Sequence, residues 1–162
     1  MSRSPEIITN AAYVIAGGAV LDRAPTVGFA LMLAGLLSMI YHISRTDGAR
    51  RLDRLGVLVL ALALLAHAVW PWWVSLLLLP AAGLLAWSLR PMDLYVSAAF
   101  GLVIGRLWPG SILAATVFLV ALVVAAYGER YEDTPEDLRY QVAHGLWHLL
   151  SATAIYLLTS NL

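Results

Sequence analysis

Five residues of this chain have side chains suited to metal-assisted chemistry, in spacings that can bring them together. In "SMIYH" (38–42), Ser38 and His42 stand four apart, and in "HGLWH" (144–148) so do His144 and His148. Residues at i and i+4 share one face of a helix. Asp53 follows His42 by eleven positions. Three imidazoles can hold Zn²⁺ tetrahedrally and leave the fourth position for water, the layout of a catalytic zinc centre. Asp53 can then orient that water or take its proton, and Ser38 can donate a hydrogen bond to an oxygen that turns negative during reaction. Each residue also has a plainer role. A histidine in a membrane helix commonly bonds a neighbouring helix, a serine packs small, and an aspartate near a helix start is favoured by the dipole. His67, in "LAHAVW", stands alone and is left out of the set.

The plainer roles lose ground once the elements are laid out. The chain has 162 residues, 61% hydrophobic and 12% charged. That composition points to runs that cross a bilayer rather than to a soluble core, since a spanning helix needs ~20 mostly apolar residues. Pro, Gly and charge divide the sequence into seven candidate spans, roughly 7–22, 26–44, 53–70, 72–89, 92–108, 111–127 and 135–159. The fold expected is therefore all-α: one polytopic membrane domain over 1–162, a seven-transmembrane helix bundle. Gly17-Gly18 and Asp22-Arg23 weaken the first span. "WPWW" (70–73), "RPMD" (90–93) and "WPGS" (108–111) are clean breaks, and Thr134 with Pro135 reads as the cap of the last helix. No charged-then-apolar leader with a cleavage site is evident, so the first run is expected to stay as a helix.

Seven spans put the second span's end and the third and seventh spans' starts on one side of the membrane. Ser38, His42, Asp53, His144 and His148 then lie at similar depth, although 110 positions separate the first from the last. All ten basic residues are Arg, and eight of them (3, 45, 50, 51, 54, 90, 130 and 139) fall on that same side, against Arg23 and Arg106 on the other. The positive-inside bias makes that side cytoplasmic, with the amino terminus and the histidines toward the cytoplasm and the carboxyl terminus outside. Net charge is zero, which points away from nucleic acid, and the absence of Cys excludes disulfides, thiolate zinc sites and thiol nucleophiles.

With these residues in place the sequence resembles the CREST superfamily of seven-helix membrane hydrolases. That superfamily includes alkaline ceramidases, adiponectin and progestin-type receptors, bacterial hemolysin III proteins and hydrolases that remodel GPI lipids. The resemblance rests on "SMIYH", "RLD" (51–53) and "HGLWH", with the spacings, the span count and the short loops. "NAAYVIAG" (10–17) is also similar to the family's first helix. The resemblance implies zinc on His42, His144 and His148, with Ser38 and Asp53 in the active site. "HGLWHLLSATAIYLL" is closer to the ceramidase and GPI-remodelling branches, and the short chain fits a compact bacterial member of the inner membrane. The acidic cluster that binds calcium in some ceramidases has no counterpart, since only Glu6 precedes Asn10.

The function expected is zinc-dependent hydrolysis of a lipid amide or ester, ceramidase-like or phospholipase-like, with a membrane lipid as substrate. Asp53 would act as general base, and Ser38 would stabilise the oxyanion rather than attack. Two alternatives stay open. One is a receptor or lipid-binding protein with a structural zinc; the other is a transporter with a His/Asp proton relay, which the gathering of ionisable groups on one side disfavours.

Overall fold

The computed structural model describes residues 4–88, 101–106, 110–131 and 137–160, and among these all regular structure is helical. The helices are α1 (Ser4–Val20), α2 (Pro25–Ser44), α3 (Asp47–Ala68) and α4 (Trp72–Ser88). They are followed by α5 (described over 101–106), α6 (Ile112–Glu129) and α7 (Leu138–Ser160). Six of the seven candidate spans each correspond to one of these helices. Most of the fifth span, and the proposed Thr134-Pro135 cap, lie outside the described residues.

Local chemistry sets the boundaries. Pro25 opens α2, where its missing N–H costs nothing. Arg45 ends that helix in the left-handed conformation (φ 52°), and its N–H returns to the Tyr41 carbonyl. Thr46 is extended, and its hydroxyl accepts the Ala49 N–H at 3.2 Å, capping α3. This cap corrects the sequence reading. The third apolar run starts near residue 53, but the helix starts at Asp47, so Asp53 sits in the second turn of α3 rather than at its opening. Asp47 and the arginines that follow carry the helix outward as a polar extension of the apolar run. Gly17-Gly18 does not interrupt α1 either.

Packing follows a chain of neighbours. α1 lies against α2 and α7, α2 against α3, α3 against α4, and α6 against α7. The α1–α2 contact is backbone to backbone. A Cβ on Gly17 would come within 2.6 Å of the Gly28 carbonyl oxygen, and one on Gly28 within 2.8 Å of the Gly17 oxygen. Gly35, two turns after Gly28, lets Tyr13 and Asn10 approach in the same way. Small residues of this kind are how helices approach closely in lipid. At the α3–α4 corner the Trp70 indole donates to Ser75, and Ser75 donates to the Leu62 carbonyl.

Leu31, Leu64, Ile155 and Leu158 fill the interior, while Leu84 (72% exposed) and Val123 (70%) face outward. Among the described residues three helices, α2, α6 and α7, are long and apolar enough to cross a membrane. α1 and α4 are apolar but have 17 residues each, and α3 is long but charged through its first two turns. The described helices fit a membrane location.

Candidate metal centre

The last two turns of α2 carry Ser38 and His42, both buried. The residues on this face recur at Gly28, Leu31, Gly35, Ser38 and His42, so the stripe that lets α1 approach ends at the imidazole. α7 brings His144 and His148 on its second and third turns, His148 buried and His144 half-buried. One ring nitrogen or the other of all three histidines falls within 4.8 Å of the rest. His42 Nε2 and His144 Nε2 are 3.2 Å apart. Tetrahedral zinc with Zn–N bonds of about 2.0–2.1 Å sets its nitrogen ligands roughly 3.3 Å from one another, so this pair already has the edge length of the coordination polyhedron. The same separation also suits an N–H···N hydrogen bond between neutral imidazoles.

His148 decides how the cluster is read. Both of its ring nitrogens are buried, and neither has a hydrogen-bond partner. Leaving a buried polar group unpaired costs about 1–3 kcal/mol. A metal ion at the centre of the three rings would satisfy one of these nitrogens, and neutral imidazole is the correct ligand form. The donor set, the separations and the orphaned nitrogen therefore fit a metal ion, and three nitrogens without thiolate suit zinc among other first-row metals.

Asp53 is half-buried and accepts a hydrogen bond from the Ser38 hydroxyl, with His42 and Arg54 close enough to act on its charge. All five residues anticipated from the sequence are thus brought together: three rings in one cluster, and a Ser–Asp pair beside His42. His67 lies in the last turn of α3, fourteen residues and roughly 21 Å of helix from Asp53, outside this group.

Other side chains at the centre were not anticipated. The Tyr140 ring stacks on His144 at 5.2 Å between centroids. Tyr41 packs on His42 and lies under the guanidinium groups of Arg45 and Arg50. The Tyr13 ring of α1 stands nearly perpendicular to His148, and its hydroxyl hydrogen-bonds Ser151. Ser151 carried a signal, because it stands seven residues after His144 and shares its face. The tyrosines carried none, since aromatic residues in apolar helices read as packing.

A groove of about 500 Å³ runs along α6 and α7, lined by Val123, Val124, Tyr127, Arg139, Val142 and Leu146 among others. It contains none of the five site residues. No family model matches the chain, and no curated protein or solved structure does so either.

Proposed function

We propose that this chain is a zinc-dependent hydrolase of a lipid amide or ester bond, ceramidase-like in chemistry, working within a membrane-embedded seven-helix bundle. The observation that carries the reading is His148, a buried imidazole with both nitrogens unpartnered, held against His42 and His144 beside a serine-bound aspartate. The resemblance to the CREST superfamily at the same five residues supports it.

A zinc ion bound here supplies Lewis acidity and brings the pKa of water toward ~7. The rest of the chemistry belongs to the chain. Asp53 takes a proton from the attacking water, the oxygen adds to the acyl carbon, and the carbon–nitrogen or carbon–oxygen bond breaks. Asp53 then returns the proton to the departing amine or alcohol, giving a fatty acid and a lipid with a free amino or hydroxyl group. The Ser38 hydroxyl has one hydrogen, and at rest it is directed to Asp53. It therefore orients the base first, and it serves the oxyanion by turning away from Asp53 once that carboxyl has taken the proton. The apolar helices bring an acyl chain to this depth, with each buried CH₂ contributing about 0.8 kcal/mol. The cytoplasmic placement of the site and of the amino terminus rests on the arginine asymmetry.

The test is lipidomic. Purified protein and its Asp53→Ala variant are incubated with mixed membrane lipids, and released fatty acid is measured. Fatty acid appearing with a sphingoid base identifies an amidase, and with a lysophospholipid an esterase; in both cases the variant is silent. Zinc-loaded wild type that releases no more fatty acid than Asp53→Ala would contradict the hydrolase and favour a zinc-bearing lipid receptor.

A further inference from the structure

A histidine that binds a metal ordinarily donates its second ring N–H to a carboxylate or carbonyl, which fixes the ring's orientation. His148 has no such partner on either nitrogen. Even with a metal on one nitrogen, nothing hydrogen-bonded orients the other, so the ring must be held by what packs around it. Three rings do so, each nearly perpendicular to it: His42 (86°), His144 (87°) and Tyr13 (79°). Two of these are the other candidate ligands. Tyr13, 5.6 Å away between centroids, is the one ring of the three that stands outside the cluster.

Tyr13 is itself anchored. Its hydroxyl pairs with Ser151 Oγ across 138 positions of sequence, and Ser151 donates to the Trp147 carbonyl. A serine hydroxyl has a single hydrogen. With that hydrogen on Trp147, the Tyr13 hydroxyl donates to Ser151. The bonds form one directed chain, from Tyr13 to Ser151 to the α7 backbone one residue before His148. Ser151 also stands one helical turn after His148, on the same face. The chain therefore ties the Tyr13 ring to the stretch of α7 that carries the ligand.

We propose that Tyr13 and Ser151 form a positioning pair that replaces the missing hydrogen-bond partner of His148 and sets its ring for metal binding. The proposal rests on the metal-site reading above. It assigns α1 a role in the centre without contributing a ligand.

The test uses full-length protein in detergent, stripped of metal and titrated with Co²⁺, whose visible absorption reports ligand geometry. Zinc affinity is measured in parallel by competition with a chromophoric chelator. Tyr13→Leu, which removes the ring, is expected to change the Co²⁺ spectrum and weaken zinc about 10–100-fold, the range for outer-shell partners of ligating histidines. Tyr13→Phe and Ser151→Ala each break the chain while keeping a ring at residue 13. They are expected to weaken zinc several-fold, with the double variant no worse than either alone. A role confined to helix packing would lower thermal stability and leave the Co²⁺ spectrum unchanged. Wild-type spectra and affinities in Tyr13→Leu would overturn the pair alone. If Tyr13→Leu does not fold, additive losses in the Tyr13→Phe and Ser151→Ala double variant would overturn it instead. Wild type that takes up neither ion would overturn the metal centre and this proposal with it.

Discussion

At the residue scale, four of the five side chains anticipated from sequence pair up because their spacing follows the helix repeat, and Asp53 joins them from a third helix. Ser38 and His42, like His144 and His148, are one turn apart, and the fold has to bring two short faces of α2 and α7 and the start of α3 together. Their roles separate by substitution. Asp53→Asn keeps the shape of the side chain but cannot take a proton, so turnover is expected to fall by ~10²–10⁴-fold while zinc content holds. Ser38→Ala removes one donor and is expected to cost about 10²–10³-fold, also with zinc retained. Paired rate and metal measurements on both variants check this; loss of zinc from Asp53→Asn would make Asp53 a ligand instead. Were Ser38 a nucleophile, mass spectrometry of wild type quenched during turnover would find a fatty-acyl mass on its peptide. The proposed mechanism predicts none. What the sequence concealed at this scale was support rather than chemistry. Tyr13, Tyr41 and Tyr140 become informative only when their rings are seen against histidines.

At the element scale, apolarity and helix boundaries are different signals. The third apolar run begins near Asp53, and the helix begins at Asp47, because Thr46 caps a polar turn that hydropathy alone does not distinguish from a loop. Thr46→Ala is expected to cost about 1 kcal/mol, read as a lower unfolding temperature in detergent. The Gly17-Gly18 pair makes the complementary point. As sequence the two residues weaken α1 alike. In the fold, Gly17 faces the α2 backbone, and Gly18 has open space where its side chain would be. Gly17→Ala forces the helices apart and is expected to destabilise by about 1–3 kcal/mol. Gly18→Ala only improves helix propensity and is expected to be neutral or stabilising by up to ~1 kcal/mol. Thermal unfolding of the two variants side by side checks the contact, and equal losses would contradict it.

At the scale of the whole molecule, the helical structure of the described residues, with the five candidate side chains near one end of α2, α3 and α7, was legible from composition, punctuation and spacing. The order of packing was not. That α7 returns beside α1, so that Tyr13 reaches His148, depends on contacts between the two ends of the chain that no local pattern encodes. The membrane sidedness inferred from arginine can be tested in intact cells, because the chain has no Cys of its own. Gly48 is exposed in the first turn of α3, with open space where a side chain would be. Gly48→Cys is expected to resist an impermeant thiol reagent added from outside; rapid labelling would place the histidines on the outer side. The central claim, that three histidines hold one metal ion, is tested most directly by elemental analysis of purified protein beside a His42/His144/His148 triple alanine variant. The wild type is expected to carry about one zinc per chain and the triple variant none, with His67→Ala matching wild type. Zinc retained in full by the triple variant would contradict the account.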